Sequence, residues 1–526
     1  MSRELTASEL QSVAVPAGGL IGAAPRGVAS TTPRRWPLIL TVLLLTFVLR
    51  LPAFFVDEFN SDETFLATQA QVIRHGGSLY EEATDRKPPL VPYLYAATFA
   101  LVGSTALWSV RVVAMLAVAL TALLLAAEAR RRWGERAGWL AALLFICASV
   151  AFAPQDGQAA NFEVFMLPAM TAAMVLAARD RPRGAGLAVA LATLAKQTGA
   201  ATLLPVGYLL WRHHGRRGVM TGLVAFAIPL GLVALLVGPG DLLFWAVAGN
   251  GSYFGLGTAT AYVAGLFAVM TLAFIACNLP ILWSVPVAWH RREKGVDTDL
   301  WIWLLSAALS VAVGLRFFGH YYLQLLPPLC LITAGTLVRF ARPYVRATVA
   351  MAVVSAMGFT AVGFVFRPWG DEPRYQRVSA YLTNRLQPRD RVFVWGHMPE
   401  IYWASGALPA TRFLSSGFWL GDWGGRPRGN TTADVPTPGA RLMLMSDLRA
   451  RAPRYILDTT PAAFRGSQFH PMHSLPALQR YVDGGYRYVR TIDGIAVYER
   501  RVSNRVALGE PISSSGHGAS HSDRGG

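Results

Sequence analysis

Long stretches with almost no charge alternate with short loops that carry arginine, and this alternation limits the fold more than any other feature of the chain. Apolar runs occupy residues 37–55, 91–103, 106–128, 138–153, 162–178, 185–211, 219–238, 260–289, 300–315, 321–338 and 347–366. A helix of roughly 20 apolar residues crosses the hydrocarbon core of a bilayer. In lipid, only helices or closed barrels satisfy every backbone polar group. The fold class that follows is an α-helical polytopic membrane protein. Composition agrees: 15% of the 526 residues are charged, against about 25% in soluble domains.

The loops fall into two kinds. One kind holds Arg130, Arg131, Arg132 and Arg136; Arg179, Arg181 and Arg183; Arg212, Arg216 and Arg217; Arg291, Arg292 and Lys294; and Arg339, Arg342 and Arg346. The other kind, 154–160 and 239–259, has no Lys or Arg, and 316–320 has only Arg316. Positive loops stay in the cytoplasm. The net charge of +17 is therefore a membrane-orientation signal, and no nucleic-acid partner is expected. Run 185–211 has cytoplasmic signals at both ends and Lys196 near its middle. A hairpin of two short helices turning near Lys196 restores every loop to its side. Such a turn is tolerated at membrane depth only inside protein or beside a water-filled cavity, so Lys196 is expected to face a polar site.

The expected organisation has about eleven transmembrane helices. Residues 1–35 form a disordered cytoplasmic N-terminus, 36–366 the transmembrane domain, 367–500 a small C-terminal extracytoplasmic α/β domain, and 501–526 a disordered tail. Within 367–500, a helix is expected over 375–386, strands at 391–395 and 455–457, and a hairpin over 486–498. Cys147, Cys277 and Cys330 all lie inside apolar runs and read as small buried hydrophobes. The placement implied is a multi-pass protein of the plasma (inner) membrane.

The first outer loop, 56–90, concentrates charge directly after a span. It carries Asp57-Glu58 and Asp62-Glu63, then Gly76-Gly77, then Asp85-Arg86-Lys87-Pro88-Pro89. Acidic residues at a span end are costly without a partner and point to a functional site. Of 48 basic residues only three are lysines, and Lys87 and Lys196 stand at suspected site positions. A compact ammonium meets a phosphate differently from a guanidinium fork.

These residues carry a family resemblance. Asp62-Glu63, the glycine pair and Lys87-Pro88-Pro89 resemble the first outer loop of GT-C-fold membrane glycosyltransferases. The nearest group is the bacterial relatives of protein O-mannosyltransferases and the lipid A aminoarabinose transferase. Asn161-Phe162-Glu163 resembles that family's second acidic motif, and Lys196-Gln197-Thr198-Gly199 its hairpin lysine motif. Arg316, His320-Tyr321-Tyr322 and Pro327-Pro328 resemble its Arg, His-Tyr and Pro segment. Residues 395–402 with 409–413 look like the outer domain of bacterial members. The matches run in family order from about residue 50 to 415.

The resemblance implies transfer of a hexosyl or pentosyl group from a polyprenyl-phosphate sugar donor to a hydroxyl on the outer face of the membrane, with inversion. The acceptor is left open among lipid, glycan and protein. It implies Asp62 as general base, with Glu63 beside it and Asp57-Glu58 as the rival pair. Glu163 positions the acceptor or a metal. Lys87, Lys196, Arg316, His320 and Tyr321 are candidates for the donor site, where cations neutralise the phosphate. The cofactor is unknown; a divalent metal is left open, with Asp62 and Glu163 as its candidate ligands. Another reading is a membrane transporter or lipid flippase, since intramembrane charge also marks transport paths. Against it, the acids cluster at the outer face, and no duplicated halves with matched broken segments are visible. A membrane-anchored binding protein would leave the loop from Asp62 to Lys87 unexplained. Phospho-group transfer would want a metal-ligand set that His397, His470 and His473 do not supply.

Overall fold

The computed structural model describes residues 36–254, 259–292, 297–368, 374–424, 426–427 and 435–501. The segment 1–35 and the tail beyond residue 501 lie outside the described residues.

Among the described residues, four helices are long and apolar enough to cross a membrane: Leu107–Trp133, Gln197–Val237, Thr260–Cys277 and Arg342–Val365. Five shorter apolar helices accompany them: Trp36–Leu49, Leu90–Val102, Phe162–Ala177, Pro182–Ala195 and Thr298–Ala312. Their packing suits a lipid solvent. Small residues lie buried between helices, among them Ala122, Ala126, Ala141, Ala173 and Ala192, which lets backbones approach closely. Large apolar side chains such as Leu232, Leu236 and Val354 face outward, as expected where hydrocarbon replaces water.

Apolar runs do not all become single helices. Run 185–211 is broken at Lys196, whose backbone is extended (φ −156°, ψ 139°), and a 3₁₀ turn, Gln197–Thr202, starts the return. Gly199 makes the reversal possible, because a Cβ there would come within 2.5 Å of the Ala192 carbonyl. Gly215, at φ +56°, kinks the following helix between two arms. Run 260–289 contains three helices, Thr260–Cys277, Leu279–Leu282 and Ser284–His290. Asn278 interrupts the first, and Pro280 sits at the N-terminal turn of the second, where proline is tolerated.

Beyond the helix Arg342–Val365 the chain forms a five-stranded sheet of order β2-β1-β3-β5-β4. The strands are β1 (Arg391–Trp395), β2 (Leu408–Pro409), β3 (Tyr455–Asp458), β4 (Tyr486–Ile492) and β5 (Ile495–Arg500). β2, β1 and β3 run parallel, whereas β3–β5 and β5–β4 are antiparallel. Strand 391–395 and the 486–498 hairpin fall where the sequence predicts them, and the helix expected at 375–386 spans Tyr375–Thr383. The sheet core absorbs Phe65, Val72 and Tyr80 of the first loop and Trp245 of another. Membrane helices and sheet unit are thus joined through the loop that carries the candidate chemistry.

Candidate functional site

The helix Ser61–Arg74 begins the site. Its cap is Asn60, whose side-chain oxygen accepts from the backbone N–H of Asp62 (3.0 Å) and Glu63 (3.3 Å), a strong N-terminal arrangement. The Asn60 amide in turn donates to the Gln155 carbonyl at 2.7 Å and to Asn161 Oδ1 at 3.0 Å. This fixes the helix start against loop 154–161. Asp62 and Glu63 then sit in the first helical turn, where the helix dipole favours negative charge.

Consecutive helix residues point about 100° apart, and here that separates two neighbours completely. Glu63 is fully buried in the core. Its Oε1 accepts from Arg111 Nε at 2.8 Å and Ala160 N at 2.9 Å, and its Oε2 from Arg111 Nη2 at 2.7 Å and Phe59 N at 2.9 Å. Arg111 also donates to the carbonyls of Ala53, Val56 and Asp57. Asp62 instead faces a cavity of about 790 Å³ between membrane helices and sheet unit.

Lys87, Lys196, His320 and Tyr321 line the same cavity. Asp62 Oδ2 is 3.9 Å from Lys87 Nζ and 3.9 Å from His320 Nε2. Lys87 Nζ stands 4.0 Å above the Phe162 ring. Lys196 pairs with buried Glu163 and lies 3.8 Å from the centre of the Tyr321 ring. Gln197 Nε2 donates to the Arg86 carbonyl, which ties the hairpin tip to the loop carrying Lys87. Burial pushes the Asp62 carboxyl up, but Lys87, His320, Lys196 and His397 outweigh it and hold the pKa below its ordinary value. Asp62 is therefore an ionised carboxylate with cations beside it.

Asp156 was not singled out from the sequence, yet it organises His320. Its Oδ1 accepts from the His320 backbone N–H at 2.9 Å and lies 2.8 Å from ring Nδ1. The ring is thereby aimed with Nε2 toward Asp62. Gly319 allows this approach, since a Cβ there would lie 2.3 Å from Asp156 Oδ2. Burial alone would lower the His320 pKa; Glu163, Asp156 and Asp62 outweigh it and raise it above 6.5. Asp156 is the lone acid in the Lys- and Arg-free loop 154–160, a signal that was present in the sequence.

Other candidates lie outside the cavity lining. Glu163 touches the cavity only at one remove, through its pair with Lys196. Arg316 is fully buried and donates to the carbonyls of Trp423 (3.3 Å) and Gly424 (2.9 Å) in the sheet unit. Arg426 returns the bond, donating to the Leu315 carbonyl at 2.7 Å. Of the rival acids, Asp57 is exposed and accepts from Gln376, and Glu58 is buried outside the lining. Among the described residues no three His, Cys, Asp or Glu side chains converge as metal ligands. The two candidate ligands, Asp62 and Glu163, are each directed at lysine. This donor set does not fit a metal site.

The sheet unit closes the cavity from the other side with Trp395, His397, Asp422, Trp423, Arg465 and His470. His397 has Nδ1 2.5 Å from Ser415 Oγ and Nε2 3.4 Å from Ser61 Oγ. Arg465 donates to the His397 carbonyl and to the buried Glu400 carboxylate. No local pattern in the chain places these residues opposite Asp62; the sheet topology does.

Comparison with known proteins fits this architecture. Residues 86–240 match the dolichyl-phosphate-mannose-protein mannosyltransferase family. The fold is similar to that of ArnT from Cupriavidus metallidurans bound to undecaprenyl phosphate, with 14% identity and a TM-score of 0.60, covering 88% of this chain and 98% of that one. It is also similar to the archaeal oligosaccharyltransferase AglB from Archaeoglobus fulgidus in complex with an inhibitory peptide and a dolichol-phosphate, at 13% identity and a TM-score of 0.53, covering 91% and 75% of the two chains. No curated protein matches the sequence. The chain has the GT-C fold, a multi-pass membrane architecture.

Proposed function

We propose that the protein transfers a hexosyl or pentosyl group from a polyprenyl-phosphate donor to an acceptor hydroxyl on the outer face of the plasma (inner) membrane. In this reading the chain crosses the membrane about eleven times, with the sheet unit outside. One observation carries it: an ionised Asp62 inside a large cavity, 3.9 Å from both the Lys87 ammonium and the His320 ring. ArnT and AglB are described with a polyprenyl phosphate, and the cavity here suits such a ligand. Tyr262, Leu266, Met270, Val313 and Phe317 give it an apolar wall for an isoprenoid chain.

The step balances without a cofactor. The acceptor oxygen attacks the anomeric carbon while Asp62 takes its proton. The bond from that carbon to the phosphate oxygen breaks, and polyprenyl phosphate leaves with the electron pair, inverting the centre. Lys87, His320 and Lys196 offset the charge gathering on the phosphate. Tyr321 lines the same wall. Glu163 orients Lys196, Glu63 holds the helix start in place, and Arg316 joins the two halves of the cavity.

The test uses purified protein in nanodiscs with radiolabelled polyprenyl-phosphate arabinose, mannose or glucose and a cell-envelope extract as acceptor source. Release of polyprenyl phosphate is measured. Asp62→Asn is expected to lower turnover by about 10²–10⁴-fold with unchanged thermal unfolding. Full turnover in that variant removes Asp62 as base. Flipping of the labelled lipid without sugar release would favour the transporter reading.

A further inference from the structure

The roof of the cavity holds a polar pair that the transfer step above leaves unused. Asp422 follows the turn Gly417–Leu420, and His470 follows the 3₁₀ segment Phe464–Phe469. His470 Nε2 lies 3.7 Å from Asp422 Oδ2, with the side chains only 12% and 11% exposed. Among the described residues, that buried nitrogen makes no hydrogen bond, a costly condition for a polar atom unless a ligand relieves it. The His470 backbone is fixed, because its carbonyl accepts from Trp395 Nε1 at 2.9 Å. Trp395, Trp423 and Phe464 line the cavity with the pair.

Topology gives an independent reason to expect a ligand here. Trp395 ends β1, and the chain leaving β3 at Asp458 leads to Phe464, Arg465 and His470. The roof therefore stands at the carboxyl ends of the parallel strands, where open α/β sheets bind their ligands. The chemistry narrows the class. A carboxylate only accepts, whereas neutral imidazole both donates and accepts. Vicinal hydroxyls on a sugar ring match that pair, and aromatic faces suit the ring's C–H surface. An anionic acceptor would meet Asp422. An extended peptide would want an open strand edge, but β1 and β3 are both interior to the sheet.

We propose that Asp422 and His470 form an acceptor subsite that takes a sugar ring of a carbohydrate chain and presents its hydroxyl toward Asp62. This rests on the transferase reading of the cavity, but binding can be measured without a donor. Saturation-transfer NMR on the full chain in nanodiscs would use arabinan, mannan, galactan and glucan oligosaccharides, with a Ser/Thr-rich peptide as the competing class. At least one oligosaccharide should bind the native protein. Asp422→Asn and His470→Gln should each weaken that binding tenfold or more with unchanged thermal unfolding; if one variant misfolds, the other is read. Oligosaccharide binding untouched by both substitutions, binding of the peptide only, or no saccharide binding overturns the subsite. Binding that follows this pattern while no polyprenyl-phosphate sugar is consumed overturns the transferase reading and the acceptor role with it, and leaves Asp422 and His470 as a saccharide-binding site only.

Discussion

Asp62 and Glu63 are adjacent in the chain, yet one ends in a saturated core and the other in a cavity. The Glu63 carboxylate accepts four hydrogen bonds, two from a single guanidinium, at 2.7–2.9 Å. The Asp62 carboxylate keeps its nearest cations at 3.9 Å and opens onto a volume of about 790 Å³. Buried charges persist only when paired and hydrogen-bonded. Saturation marks a group that holds structure, because any change in it leaves a partner stranded. Loose pairing marks a group that has capacity left for a substrate. The same contrast separates Arg316, spent on two carbonyls, from Lys87, which faces the cavity.

The largest expected effect breaks the saturated half. Arg111→Met leaves the Glu63 carboxylate buried without its guanidinium and the carbonyls of Ala53, Val56 and Asp57 without their donor. Removing one partner of a buried pair costs about 3–5 kcal/mol, which is a large part of a domain's stability. Thermal unfolding in detergent should show the loss. Asp62→Asn should do the opposite, leaving unfolding unchanged while turnover falls. Equal destabilisation by the two substitutions would erase the distinction.

A smaller effect sharpens it through pH. The His320 pKa is raised above 6.5, so its stabilising charge is fully present below 6.5 and is lost as pH rises through the raised value. The Asp62 pKa is lowered below 3.8, so its contribution is present above 3.8 and is lost only as pH falls through the lowered value. Turnover should therefore decline on the alkaline side of 6.5 and hold down to strongly acidic pH. Asp156→Asn should cut turnover about tenfold, one step of 1.36 kcal/mol, and move the alkaline decline toward 6.5. His320→Gln should abolish that decline. An unchanged profile in both variants would separate His320 from the reaction.

Much of this arrangement was legible in the sequence where the physics is local. Lys196 stands out as a charge in a run with cytoplasmic signals at both ends, and the chain does reverse there. Asp62 and Lys87 stand out as charges at the ends of spans. Glu63 was harder to place, because adjacency says nothing about which side of a helix a residue faces. Asn60 caps the helix, and Glu63 Oε2 reaches one residue past that cap, to the Phe59 N–H. Arg111 lies early in an apolar run, where loop-charge counting passes over it. The partners of Arg316 are carbonyls 107 and 108 positions away. The roof residues His397, Asp422 and His470 gather through the sheet's topology. No spacing rule reaches contacts of that range.

The smallest expected effect tests the seam between the two halves. Arg316 and Arg426 form a reciprocal clamp, each donating across the seam to a backbone carbonyl beside the other. Leu315 and Phe317, which flank Arg316, hold positive φ of 50° and 48°, a strained conformation for bulky residues that the surroundings must maintain. Arg316→Gln shortens the donor and removes a charged hydrogen-bonding group, at a cost of about 1–3 kcal/mol. If Arg316 binds the donor phosphate directly, this variant should lose affinity for polyprenyl phosphate and keep its unfolding temperature. If it serves as the clamp, unfolding temperature should fall, and Arg426→Gln should reproduce the fall. Double substitution should then cost less than the sum of the two, because residues sharing one seam do not act additively.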